Sequence, residues 1–272
     1  MEKHLEVERS IIKKYRKTIW NRFIGGIKDY RLLSEGDVVA VCISGGKDSM
    51  LLAKCMQHLQ KYSDFAFTVK YIVMDPGYAP ENRQQIERNA ELLQIPLQIF
   101  DAPIFDVVDH IEQSPCYLCA RMRRGYLYKF AKSLGCNKIA LGHHFDDVVE
   151  TILMSTLYAG EYKTMMPKLH STNFPGMELI RPLYLVKEEQ IISWKNYNNL
   201  TFLQCACHFT ANAEMQSDSK RQFVKKLIKE LKQDSPNIDK NIFASVHNVN
   251  LETIIGYRKS DSDDVHSFLE RY

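Results

Sequence analysis

A short run of mostly β-branched residues, Asp37-Val-Val-Ala-Val-Cys-Ile43, leads straight into Ser44-Gly45-Gly46-Lys47-Asp48-Ser49. From Asp48 to Gln60 the apolar spacing becomes helical. The run is bounded by Gly36 and Ser44 and has the length and composition of a strand buried on both faces. Strand, glycine turn and helix in that order constrain the fold more than any other feature of the chain. The two glycines permit positive φ and a close approach of backbone to a ligand. The unpaired N–H groups and positive dipole end of the following helix favour an anion. Lys47 adds a full positive charge, and Ser44 and Ser49 add hydroxyl donors. Asp48 is out of place beside a phosphate unless it holds Mg²⁺, which brings its own charge. The spacing is neither that of a Walker A loop nor G-x-G-x-x-G.

The rest of the chain repeats the rhythm. Strands are expected over Thr68–Met74, Pro96–Phe100 and Lys138–Leu141, with a fifth ending at Arg181-Pro182-Leu183. Helices are expected over residues 80–94, from Pro115, and from near Asp146 to about Leu157. Strand alternating with helix argues for an α/β fold with a parallel, Rossmann-like sheet, whose sites lie at the carboxyl ends of the strands. Residues 1–33 read as a helical lead-in, and 213–233 and 236–257 as two closing helices before a polar tail. The expected division is therefore 1–33, a central domain over 34–210, and a helical extension over 211–272.

Composition narrows the class. Hydrophobic residues are 45% and charged residues 25%, which excludes a disordered or collagen-like chain. No apolar run approaches the roughly 18 residues of a membrane span, and the charged start, MEKHLEVERSIIKKYRK, is unlike a secretory signal. A cytoplasmic protein with reduced thiols is expected. The net charge of +3 is uninformative, but seven cysteines are not. Cys42, in the first strand, Cys55, on the next helix, and Cys136, beside Gly135, suit small apolar core positions. Cys116-Tyr-Leu-Cys119 is different, because i, i+3 spacing in the first turn of a helix puts both sulfurs on one face. Arg121, Arg123, Arg124 and the helix N-terminus favour thiolate, the ligand form for zinc or an iron–sulfur cluster. Cys205-Ala-Cys207 offers a third sulfur.

The hexapeptide at 44–49 resembles the PP-loop of the N-type ATP pyrophosphatases, which split ATP into AMP and pyrophosphate. Leu141-Gly142-His143-His144-Phe-Asp146-Asp147-Val-Val-Glu-Thr151 resembles that family's second signature. There His143 and His144 can donate to phosphate, and Asp146 or Asp147 can help to hold Mg²⁺. Met74 and Asp75 occupy the place where the family holds adenine and ribose. Cys-Tyr-Leu-Cys-Ala-Arg-Met-Arg-Arg-Gly125, Met166-Pro-Lys-Leu169, Ile180-Arg-Pro-Leu183 and Lys220–Ile228 are similar to segments of the tRNA 2-thiocytidine synthetases, the TtcA-type branch. The likeness runs from about residue 10 to 256.

The resemblance implies an ATP-dependent tRNA sulfurtransferase that adenylates the C2 oxygen of an anticodon-loop cytidine and replaces it with sulfur. Lys47, Asp48, Cys116 and Cys119 would then be catalytic. Ser44, Gly45, Gly46, Lys47, Asp48, Ser49, Met74, Asp75, Gly142, His143 and Asp147 would hold ATP and Mg²⁺. Cys116, Cys119 and Cys205 would hold a [4Fe–4S] cluster with one iron open. This chain departs from the family at the last site, with Gln204-Cys-Ala-Cys-His208 where the branch shows P-C-x-x-C-G, so Cys207 stays an alternative. The implied partners are tRNA, a sulfur donor (a cysteine desulfurase or free sulfide) and a second copy in a homodimer. A lysidine synthetase-like ligase and a non-catalytic nucleotide-binding redox sensor are the alternatives. The lead-in at 1–33, with nine Lys/Arg against four acids, and basic runs at 120–132, with five Lys/Arg and no acid, and at 217–233, with six against two, are expected to face RNA. Tyr117, Tyr126 and Tyr128 are candidates to stack on a base.

Overall fold

The computed structural model describes residues 2–102, 104, 115–203, 220–259 and 264–272, with 115–120 as backbone only. The first strand, β1 (Val38–Ile43), is buried along almost its whole length, as its composition requires. It pairs in parallel with β2 (Thr68–Asp75) on one side and with β4 (Lys138–Ala140) on the other. Beyond β2 lies β3 (Leu97–Asp101), and beyond β4 lies β6 (Glu178–Ile180), both parallel to their neighbours. The sheet order is β3-β2-β1-β4-β6-β5. The chain thus winds outward in one direction from β1 and then returns to build the other half from β4. The switch in direction falls between β1 and β4, where the carboxyl ends of neighbouring strands leave a crevice.

The outermost strand, β5 (Lys168–His170), pairs antiparallel with β6 and departs from the purely parallel sheet expected. The reason lies in two motifs read separately in the sequence. Arg181 donates its guanidinium to the carbonyl of Met166 and its backbone N–H to Pro167. Met166–Leu169 and Ile180–Leu183 therefore clasp each other across a short hairpin.

Helices α3 (Lys47–Tyr62), α4 (Pro80–Leu93), α5 (Pro115–Ser133) and α6 (Phe145–Met154) connect the strands. The lead-in is two helices, α1 (Lys3–Ile12) and α2 (Asn21–Asp29), joined through a π-helical turn at Arg16–Trp20. Val7, Ile11, Ile19 and Phe23 are fully buried in the same core as Val39, Leu51, Met56 and Trp194. At about 1.5–3 kcal/mol for each large apolar side chain removed from water, these helices stabilise the sheet directly. α7 (Glu188–Tyr197) follows β6 and packs on α3.

The C-terminal part differs from expectation. α8 (Lys220–Asp234) and α9 (Ile238–Ser245) are present, but no helix runs on to Tyr257. Asn250 accepts the N–H of Glu252 and caps a short 3₁₀ turn, and Thr253-Ile254-Ile255 is a β-branched run that resists helix. An antiparallel ribbon of β7 (Gly256–Arg258) and β8 (Val265–Ser267) takes the place of the expected helix end and polar tail.

Candidate active site

β1 ends at Ile43, and the loop after it is shaped by its glycines. Gly45 has φ +83°, and a Cβ there would lie 2.7 Å from Ile86 and 2.9 Å from Leu203. Gly46 is the extended residue before α3, so the first N–H groups of that helix open toward the crevice. Ser49 stiffens the turn: its Oγ donates to the Gly46 carbonyl at 3.0 Å and accepts the Ser44 N–H at 3.2 Å. Across the crevice, β4 leaves the sheet through Gly142. A Cβ on Gly142 would sit 3.0 Å from the Ser49 nitrogen and 3.1 Å from the Asp48 carbonyl carbon. Its φ is ordinary, so here glycine is demanded by close approach of two backbones.

His144 follows, buried, as the residue preceding α6, and Asp147 at the third helical position accepts its backbone N–H at 3.0 Å. The His144 ring lies 3.8 Å from Asp48 Oδ1 and 3.5 Å from Asp147 Oδ2. Lys47 Nζ donates to Asp48 Oδ2 at 3.2 Å and to Glu188 Oε1 at 2.9 Å. Burial works against the Lys47 ammonium, but Asp48 and Glu188 outweigh it and raise its pKa. Burial also opposes the Glu188 carboxylate, yet hydrogen bonding and charge from Lys47, with Lys225 behind, hold its pKa down at about 2. For Asp48 burial wins over His144 and Lys47, and its pKa is raised. Burial, helped by Arg181, lowers the His143 pKa to about 4, which leaves a neutral imidazole near pH 7.

A second tier of charge arrives from the C-terminal extension. Arg221 Nε stands 3.1 Å from Glu150, and Lys225 bridges Glu150 at 3.5 Å and Glu188 at 3.4 Å. Asp146 accepts the backbone N–H of Glu188 at 2.7 Å and so ties α6 to the start of α7. Asp48, Asp146, Asp147, Glu150 and Glu188 thus converge on the crevice around Lys47, Arg221 and Lys225. Asp48 Oδ1 and His143 Nδ1 are buried without a hydrogen-bond partner. Among the described residues no three of these side chains are placed to hold a metal ion by themselves, so the orphaned Asp48 oxygen suits a divalent cation that takes its other ligands from the polyanion it arrives with.

The loop and histidine motif are therefore side by side. Met74 and Asp75 close β2, and both are buried. The Asp75 carboxylate is engaged within its own turn: Oδ1 accepts from Gly77 at 2.9 Å and Tyr78 at 2.7 Å, and Oδ2 accepts from Arg83 at 3.1 Å. It shapes the loop after β2. Cys116 and Cys119 lie in the first turn of α5. Cys205 and Cys207 lie outside the described residues, as does His208. The chain leading to them is placed as far as Leu203, whose N–H donates to the carbonyl of Gly45 at 3.1 Å. Asn89 steadies this segment through the Thr201 carbonyl at 2.9 Å.

Cys42, Cys55 and Cys136 are buried thiols, as expected of packing residues. Burial pushes Cys42 up to about 12 and raises Cys55 and Cys136 as well. Tyr128 is a correction: it is buried and stacks on Phe174 with ring centres 5.1 Å apart, so it belongs to the core and not to a base-stacking surface. Half of the basic run at 217–233 is paired with the protein's own acids, through Arg221, Lys225 and Lys232, the last bound to Asp239 at 3.1 Å. Glu188, Arg221 and Lys225 escaped the sequence reading as site residues. Arg221 and Lys225 did fall in the Lys220–Ile228 segment that resembles the family, and their i, i+4 recurrence on α8 hinted that one face met acid.

Comparison with known proteins agrees with this geometry. Residues 11–231 match the PP-loop domain family. A relative from Geobacter metallireducens named tRNA-cytidine(32) 2-sulfurtransferase is 32% identical over 240 residues, covering 87% of this chain and 91% of its own. One of the same name from Geotalea uraniireducens is 34% identical over 235 residues, covering 85% of this chain and 91% of its own. The solved structure of the U34-tRNA thiolase NcsA from Methanococcus maripaludis, with its [4Fe-4S] cluster, superposes with a TM-score of 0.67 over 88% of this chain and 80% of that one, at 21% identity. At that identity the likeness speaks for the fold, and the fold, the crevice and the sequence relatives agree. The chain belongs to the PP-loop family and, within it, to the tRNA-cytidine(32) 2-sulfurtransferases.

Proposed function

We propose that this chain uses ATP to activate the C2 oxygen of a cytidine in tRNA and replaces it with sulfur. The observation that carries the reading is the hydrogen bond from Leu203 to Gly45, which brings the strand of chain leading to Cys205 alongside the glycine loop. The phosphates of ATP would lie on the N–H groups of the 44–49 turn, with Lys47 neutralising charge and the first turn of α3 adding its dipole. Asp48 and Asp147 would hold Mg²⁺, which supplies the charge that lets a polyanion sit among carboxylates. The C2 oxygen attacks the α-phosphorus, the bond to the bridging oxygen breaks, and pyrophosphate leaves. Hydrosulfide then attacks C2, AMP departs with the original oxygen, and the proton on sulfur is lost to solvent. His143, neutral and buried, is suited to donate to a phosphate oxygen and not to act as a charged anchor.

The donor set Cys116, Cys119 and Cys205 is all thiol and fits a [4Fe–4S] cluster. Such a cluster would supply a site to hold the incoming sulfur. The sulfur comes as free sulfide, or as the persulfide of a cysteine desulfurase that two electrons from a thiol reductant release as hydrosulfide, in a cytoplasmic setting where thiols stay reduced. In this reading residues 34–210 carry the chemistry, 1–33 and 211–272 flank it, and two copies assemble as a homodimer. No helix among the described residues is long and apolar enough to cross a membrane.

The test is anaerobic purification followed by iron analysis and a thiolation assay with ATP and tRNA. Brown protein whose iron is lost in Cys116→Ser, Cys119→Ser and Cys205→Ser, but kept in Cys207→Ser, supports the ligand set. Colourless, zinc-loaded protein under those conditions overturns it.

A further inference from the structure

A cleft on the face formed by α1 and the end of α7 takes no part in the charged network around Lys47. It encloses about 480 Å³ and is lined by Lys3, Arg9, Lys13, Lys14, Tyr197 and Asn199, among others. Arg9, Lys13, Lys14, Tyr197 and Asn199 are all exposed. Glu6 is the carboxylate among its lining residues, and it sits 3.9 Å from Lys3. Among the described residues no carboxylate comes within ion-pair distance of Arg9, Lys13 or Lys14. Lys14 is held in place: its ammonium lies 3.6 Å from the centre of the Tyr197 ring. The floor is rigid, because Asn198 donates to Ser10 Oγ at 3.0 Å and to the Trp194 carbonyl at 2.8 Å, and both polar side chains are buried. Tyr15 adds a hydrogen bond to Ser193 at 2.9 Å. Unlike the basic run on α8, these cations are not consumed by internal acids.

The place of the cleft matters. α7 carries Glu188, the partner of Lys47, at its first residue and Tyr197 at its last. Nine residue steps at about 1.5 Å separate the two by about 14 Å along the helix axis. A polyanion lying in the cleft would therefore be within reach of the crevice without competing for its charges.

We infer that this cleft docks the phosphate backbone of the RNA substrate, a proposal that rests on the function proposed above. Several exposed cations around a hydrogen-bonded floor, one of them seated on an aromatic ring and with one acid among them, match a phosphodiester chain. The cleft would give register and orientation to the substrate, while the crevice receives the reacting base.

The experiment compares full-length wild type with Arg9→Gln/Lys13→Gln/Lys14→Gln, and with Lys129→Gln/Lys132→Gln on the other basic run. Binding of a labelled tRNA transcript is titrated at several salt concentrations, and ATP binding is measured in parallel to report on the fold. The first variant should bind RNA at least about tenfold more weakly, and its salt slope should fall by roughly 2 to 3, because three phosphates are no longer neutralised. Its ATP binding should match wild type. Unchanged RNA affinity, or loss confined to the Lys129/Lys132 variant, overturns the proposal. Binding of phosphatidylserine vesicles through these residues, with RNA binding unaffected by their loss, overturns it in favour of a lipid surface. If wild type binds RNA through the cleft yet makes no 2-thiocytidine, the proposed function fails and the docking site stands. Should wild type thiolate and the triple variant match it in binding and thiolation, the docking site alone fails.

Discussion

The two walls of the crevice look alike in outline and are built in opposite ways. Each begins at the end of a parallel strand, β1 or β4, and passes through glycine into a helix. The β1 wall is made of backbone. Gly45 adopts φ +83°, Gly46 exposes the start of α3, and side-chain chemistry comes from Lys47, Asp48 and the serines alone. Side chains dominate the β4 wall: His143, His144, Asp146, Asp147 and Glu150 converge, Glu188 arrives from a distant helix to pair with Lys47, and Arg221 and Lys225 arrive from another to balance the acids. The difference teaches where tolerance lies. A backbone wall fails when a single atom is added, whereas a side-chain wall loses function in proportion to the charge removed.

Lys47→Ala should have the largest effect, because it removes the cation of the backbone wall. ATP-dependent thiolation is expected to fall by about a thousandfold, with the iron content of the protein unchanged. An unaltered rate would break the assignment of the loop. Gly142→Ala comes next. Its methyl would press on the Ser49 nitrogen at 3.0 Å and push the start of α3 by a few tenths of an ångström; since a misplacement of about 1 Å can cost on the order of a hundredfold, a fall in rate of more than about tenfold is expected. Rates equal to wild type, measured with saturating ATP, would show that the close approach is not needed. Glu188→Gln probes the side-chain wall, where one of two carboxylates on Lys47 is lost. About a tenfold rise in the KM for ATP is expected, which corresponds to about 1.4 kcal/mol, with a smaller change in kcat. A fall in kcat with KM unchanged would place Glu188 in the chemical step instead. The smallest effect belongs to the packing cysteines: Cys42, Cys55 and Cys136 should resist iodoacetamide at pH 8 in the native protein and react once it is unfolded. Their labelling in the folded state would contradict their burial.

What the sequence disclosed follows the same division. The β1 wall was legible because it is local: strand, glycines, lysine and helix lie within about two dozen residues. Gly142 could be read as part of a motif, but its steric reason appears only when β4 and α3 are brought together. Glu188, Arg221 and Lys225 were not legible as a site, since nothing near them in sequence says that α7 and α8 meet α6. The antiparallel strand β5 and the ribbon of β7 and β8 are three residues long, too short for a pattern of period two to stand out. Tyr128 misled for a related reason, because an aromatic residue among arginines looks like a stacking surface until Phe174 is placed against it.

ATP-dependent activation and sulfur transfer meet on one RNA base, and mass spectrometry of tRNA nucleosides tests that union directly. Nucleosides from cells with and without this protein should differ by the disappearance of 2-thiocytidine, restored by the wild-type chain and not by Lys47→Ala. Intact 2-thiocytidine with lysidine missing would contradict the account and assign the same crevice to amide-forming chemistry.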